Sequence, residues 1–211
     1  TNEFCIKQHK NKNSICFKCY SFKGLEFRKN MIPLLQNNSD LLSKEIIHSQ
    51  LLPTILDIYF RFSSDGELIN DIHLINLLNI CEKNKHTTFT LWTKRKDLVY
   101  KVQQKRELPK NLILIFSNSQ VDKPLKTIPK LFHKTFNSVS KSFNKAVVNC
   151  SGKCVECLKD TSFGSGKFVN RIPADNGIYD GYQCADCQMF ECDQCKKETL
   201  EYFICNKTSK V

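Results

Sequence analysis

Residues 54–62 read TILDIYFRF, a run rich in Ile, Tyr and Phe that follows Pro53. β-Branched and aromatic residues at this density read as a strand. Ser63-Ser64-Asp65-Gly66 directly after it reads as a turn. Working outward, the same alternation returns. Asp71 stands where it caps a helix with Ile72, Ile75, Leu78 and Cys81 on one face, and TTFTLWT at 87–93 is the next strand. Lys94 to Arg106 is a basic helix carrying Leu98 and Val102, and Leu112 to Phe116 is a third strand after Pro109. Upstream, Asn38-Ser39-Asp40 caps an amphipathic helix with Leu41, Leu42, Ile46, Ile47 and Leu51 that ends at Pro53. Downstream, Ala146 to Val148 is a short strand running into Cys150. Strands and helices alternating with short connections predict βα units around a parallel sheet. Four predicted strands are too few for an eight-stranded barrel. The expected fold class is therefore α/β, a partial (β/α) barrel or an open parallel sheet. It is expected over residues 1–157, with ligand loops at both ends and a cysteine-rich, metal-binding C-terminal segment at 158–211.

A chain of 211 residues can bury one core and carry a small appendage. The stretch Thr1 to Lys12 is polar and basic, unlike a secretory signal. The longest apolar run, Leu112 to Phe116, is far below the roughly 20 residues that span a bilayer. These features predict a soluble cytoplasmic chain with no membrane partner. The net charge of +11 and pI near 9.1 allow a polyanionic partner, a nucleic acid or an acidic protein. Against that stand lysines that solvate helical surfaces, and thiolates whose negative charge the formal count ignores. Oligomeric state is not legible.

The 12 cysteines fall into groups. Cys5, Cys16 and Cys19 give C-x10-C-x2-C; Cys150, Cys154 and Cys157 give C-x3-C-x2-C; Cys184, Cys187, Cys192 and Cys195 give C-x2-C-x4-C-x2-C. Thiolates two residues apart converge readily on one metal ion or cluster, and in a cytosolic chain such spacing favours metal over a disulfide framework. Loops that follow parallel strands gather at one end of the sheet. The early group and Cys150, Cys154 and Cys157 are thus expected to meet over the strand ends and hold a [4Fe–4S] cluster, with zinc as the alternative. The tail group suits zinc or a second cluster. Cys81 fits a buried thiol at a helical core spacing, and Cys205 is unassigned.

Several stretches together carry a resemblance: Cys16-Phe17-Lys18-Cys19-Tyr20, Asn30, IYFRFSSDGEL at 58–68, FTLWTKRKDLV at 89–99, LPKNLILIFSNS at 108–119 and VVNCSGKCVEC at 147–157. In combination they resemble the gene-product-88-like family of phages and archaeal viruses, over about Cys5 to Cys157. The resemblance implies a viral iron–sulfur protein acting in the host cytoplasm, and says little about residues 158–211. The family is in turn similar to radical S-adenosylmethionine enzymes, which order a cysteine loop, a helix and a strand ending in an acidic turn. That similarity implies that Asp65 or Glu67 would receive the amino group of S-adenosylmethionine.

Three readings follow. In the first, cysteines close every iron, and the cluster fixes the fold or carries electrons. In the second, one iron stays open and the chain is a radical enzyme. In the third, Lys94, Arg95, Lys96, Lys101, Lys105 and Arg106 form a nucleic-acid-binding helix beside Trp92. The first is preferred, because six cysteines stand near the presumed site and C-x3-C-x2-C follows the last strand instead of preceding the first helix. Gly164-Ser165-Gly166-Lys167 lacks the spacing of a phosphate loop, and no nucleophile–base pair is legible.

Overall fold

Five strands form one sheet in chain order: β1 (Tyr59–Phe62), β2 (Thr88–Thr93), β3 (Leu112–Val121), β4 (Lys134–Val139) and β5 (Lys167–Arg171). All four neighbouring pairs are parallel. The computed structural model describes residues 2–63, 65–140 and 142–144, and the backbone of 167–171. Consecutive parallel neighbours need crossovers of one hand, which deliver every crossover helix to the same face of the sheet. Here those helices are α4 (Asp71–Lys83) and α5 (Lys96–Gln103). This is the winding of a partial barrel or an open, singly wound sheet.

Period-two alternation sorts the strand residues onto two faces. Phe62, Phe89, Leu91, Leu112 and Leu114 bury against Leu74, Leu78 and Cys81 of α4 and Val99 and Val102 of α5. The opposite face holds a smaller cluster of Ile113, Ile115 and Phe136, with Trp92 packed against it. Arg61 lies over the Trp92 ring at 4.7 Å, and Trp92 meets Phe136 at 4.9 Å.

The N-terminal third departs from the expected loop. It contains α1 (Glu3–His9), a 3-10 turn at Ile15–Lys18, α2 (Tyr20–Phe27) and α3 (Met31–Lys44). Asn38-Ser39-Asp40, expected to cap a helix, lies inside α3, where Gln36 Nε2 donates to Asp40 Oδ1 one turn on at 2.8 Å. Pro33 is tolerated because it falls in the first turn, whose N–H groups have no helical partner. Past Lys44 the chain is pulled off helically: Ile47 N donates to buried Asn76 Oδ1, and Asn76 Nδ2 donates to Leu42 O and Glu45 O. The expected helix through Leu51 is replaced by a short 3-10 turn at Ser49–Leu51.

The strand expected over 54–62 begins only at Tyr59. Residues ahead of it are held by side chains in place of a ladder. Ile55 N donates to Asn84 Oδ1, Asn84 Nδ2 donates to Pro53 O, and Thr87 Oγ1 donates to Asp57 O. Asn70, not Asp71, caps α4 by accepting from His73 N, while Asp71 pairs with Lys101 at 2.9 Å. The basic helix is shorter than 94–106 by both ends. β3 runs five residues beyond the expected Phe116, and β4 and β5 were not expected at all. The strand expected at Ala146 to Val148 lies outside the described residues.

Candidate metal centre

In a parallel sheet all carboxyl ends lie along one edge, and here the early cysteines gather at that edge. Glu67 follows β1, Lys94 follows β2 directly, and Ser117 lies in the second half of β3. A bulge after Ser117 shifts the β3–β4 register, so that Val121 pairs with Ser138. Asn118 stabilises the irregularity: its Nδ2 donates to Asn137 Oδ1 and Lys123 O, and its Oδ1 accepts from Gln120 N. Such bulges redirect a strand end. This one carries Gln120 into an antiparallel bridge with Ser14, and Val121 N to Asn13 O, which seats the cysteine turn on the end of β3.

Each thiol has its own local support. Cys5 lies in the first turn of α1, its N–H held by the Asn2 carboxamide oxygen, while Asn2 Nδ2 donates to Glu67 O at 2.7 Å. Cys16 lies in the 3-10 turn capped by Ser14, and its carbonyl is 2.8 Å from His9 Nδ1. His9 stacks on Phe22 with ring centroids 4.1 Å apart. Cys19 ends that turn and starts α2. Two residues later, Ser21 Oγ donates to Asp65 Oδ1 at 2.8 Å, joining the cysteine segment to the turn after β1.

Lys94 stands among these groups. Its backbone N–H donates to Glu67 Oε2 at 2.7 Å, and its Nζ donates to Ser117 Oγ at 3.2 Å. Glu67 Oε1 accepts from Thr93 Oγ1 and Leu68 N. The carboxylate of Glu67 is thus filled from within the chain and knots the β1 turn to the end of β2.

Electrostatics show that the thiols share one environment. Burial pushes the Cys5 thiol up to about 12, with Glu67, Cys16 and Cys19 adding to it and Lys94 opposing. Burial also raises Cys19, and Cys16 adds to it; the Phe22 and Ser21 N–H groups at the start of α2 and the Lys94 charge act the other way. Burial disfavours the Lys94 ammonium, yet Cys16, Glu67, Cys19 and Cys5 outweigh it and hold its pKa above the ordinary value. Cys5 in particular stays protonated at neutral pH unless a thiophilic cation replaces its proton. Cys5, Cys16, Cys19 and Cys81 are all free thiols.

Among the described residues, no group of three or more His, Cys, Asp or Glu side chains is arranged to hold a single metal ion. A [4Fe–4S] cluster takes one thiolate per iron, so its ligands do not converge on one point. The three half-buried thiols are soft donors of the kind that ligate iron–sulfur clusters or zinc. Cys150, Cys154, Cys157, Cys184, Cys187, Cys192 and Cys195 lie outside the described residues. Cys81 is fully buried in the α4 core, as its spacing implied.

Several of the basic-helix residues make contacts within the chain. Arg95 pairs with Asp97 at 2.8 Å and donates to Leu68 O, Lys101 pairs with Asp71, Arg106 binds Glu82 and Asn79, and Lys94 faces the thiols. Sequence reasoning placed Lys94 on that solvated face and overlooked Asn2 and Ser117. The one available signal was position, since Lys94 directly follows a strand, where βα proteins carry their chemistry. Among the described residues, no helix is long and apolar enough to cross a membrane.

Fold and site together define a singly wound parallel α/β protein with a thiol cluster over its carboxyl-terminal strand ends. A family model described as Gene product 88 matches residues 3–198, and the chain belongs to this phage-like family. The match runs from the first helix through the tail cysteines. No curated protein and no solved structure matches the chain.

Proposed function

We propose that this chain is a viral iron–sulfur protein. In this reading Cys5, Cys16 and Cys19, joined by thiolates from Cys150, Cys154 and Cys157, hold a [4Fe–4S] cluster closed by cysteine on every iron. The observation that carries it is the gathering of three thiols from α1, the 3-10 turn and the start of α2 around Lys94 at the strand ends. When bound, the group supplies a cross-link between distant parts of the chain and a store for one electron. The chain's own residues hold the thiols, keep Glu67 occupied and place a cation beside them. Cys184, Cys187, Cys192 and Cys195 would hold zinc or a second cluster. Cys16→Ser and Cys19→Ser should each lower iron and acid-labile sulfide in anaerobically prepared chain to less than half. Unchanged content in both variants would remove these residues from the ligand set.

A second reading, a radical S-adenosylmethionine enzyme, is favoured by one observation: Asp65 lies beside the cysteine segment through Ser21. Against it, both Glu67 carboxylate oxygens already accept protein hydrogen bonds. Addition of S-adenosylmethionine to reduced protein separates the two. 5′-Deoxyadenosine in the products selects the enzyme, and its absence selects the closed cluster.

A further inference from the structure

Lys94 is placed unlike a surface lysine. It leaves β2 at the position where Trp92 and Thr90 set the face opposite the helices, and Ser117 on β3 shares that face. Its backbone is fixed by Glu67 and its ammonium by Ser117. Glu67 is fixed in turn by Asn2, which caps the helix of Cys5. Backbone and ammonium are therefore both tethered at the edge where the three thiols lie. No carboxylate within hydrogen-bond range of Nζ neutralises it among the described contacts; the one acidic neighbour, Glu67, takes the Lys94 N–H instead.

We infer that Lys94 sets the reduction potential of the cluster proposed above, as a fixed positive charge beside its thiolates. This rests on the cluster reading and adds a role that the ligand set alone does not supply. Net charge and hydrogen bonding around the sulfurs are the protein's means of moving such a potential. A cation stabilises the more negative, reduced state, so its removal must lower the potential. Lysine is suited to this because its ammonium is a compact point charge, here tethered by Ser117.

The test is mediated redox titration of anaerobically prepared full-length chain, followed by electron paramagnetic resonance, with iron and sulfide measured on the same samples. Lys94→Gln is expected to keep the wild-type iron and sulfide content. At a fixed poise its reduced-to-oxidised ratio should fall at least tenfold, a midpoint drop of 59 mV for a one-electron couple. Lys94→Arg should recover at least half of that drop. Ser117→Ala, which frees the ammonium without removing it, should give a smaller drop in the same direction. If Lys94→Gln does not load, a loaded Lys94→Arg with a near-wild-type midpoint together with the Ser117→Ala drop supports the inference. A loaded Lys94→Gln with the wild-type midpoint overturns it and leaves the cluster reading intact. Wild-type chain lacking iron and sulfide overturns the cluster reading, and this inference falls with it.

Discussion

The carboxylate of Glu67 receives the backbone N–H of Lys94 at 2.7 Å, and through that bond the turn after β1 is locked to the end of β2. The same carboxylate takes the Thr93 hydroxyl and the Leu68 N–H. Glu67→Gln replaces one acceptor oxygen with a donor that faces an N–H or O–H group. Loss of a buried, charge-assisted set of this kind costs about 2–3 kcal/mol. The urea midpoint should fall accordingly with little change in slope. A midpoint within error of wild type would show that the knot adds no stability.

Cysteines in ligand positions and in the core should behave oppositely. Cys81 packs against Leu78 and the sheet, so Cys81→Ala removes a small buried group and should cost about 1 kcal/mol while leaving iron content unchanged. Cys16→Ser with Cys19→Ser should remove the iron of the proposed strand-end cluster and lower the thermal midpoint by several degrees, because the proposed cross-link to the late cysteines would be lost. Metal analysis and melting curves on the same preparations decide it. Iron loss in Cys81→Ala, or a wild-type melting curve in the double variant, would contradict the assignment.

Buried asparagines replace the ladder and helix bonds that the irregular connections lack. Asn76 is fully buried and makes three hydrogen bonds between α4 and the end of α3. Asn76→Ala strands one N–H and two carbonyl groups and should cost about 3 kcal/mol, against about 0.5 kcal/mol for an exposed change such as Asn37→Ala. Chemical denaturation of the two variants side by side gives the comparison. Equal stability would mean that water satisfies the freed groups.

Burial pushes the pKa of His73, in the first turn of α4, down to about 4. A histidine depressed in the folded state favours folding only while neutral. Its contribution is complete above the ordinary value near 6.5 and is lost as pH falls from there through 4, roughly 3 kcal/mol in all. His133 is lowered too, by burial and then by the Lys134 charge, and adds to the same acid sensitivity. His73→Gln should flatten the decline of the urea midpoint between these pH values. An unchanged decline would place the acid sensitivity elsewhere.

The parallel winding was legible because β2 and β3 are nearly unbroken apolar or β-branched runs with Pro and turn residues between them. β4 was not. Its sequence, KTFNSV, reads as polar, yet every residue of it is buried. Asn137 shows why: its Oδ1 accepts from Asn118 Nδ2 and Leu125 N, so a tertiary network satisfies groups that sequence alone assigns to solvent. The boundaries of α3 were hidden for a similar reason, since Asn76, distant in sequence, ends that helix. At the site, the Cys16–Cys19 spacing was legible. The position of Cys5 and the inward turn of Lys94 depend on Asn2, Glu67 and Ser117, three contacts that no local pattern encodes.

The most direct measurement is the iron, acid-labile sulfide and zinc content per chain of anaerobically prepared wild-type protein, with an electron paramagnetic resonance spectrum of the reduced sample. About four irons and four sulfides for each cluster, with the signal of a reduced [4Fe–4S] centre, are expected. Zinc alone, with no acid-labile sulfide and no such signal, would contradict an iron–sulfur site at the strand ends.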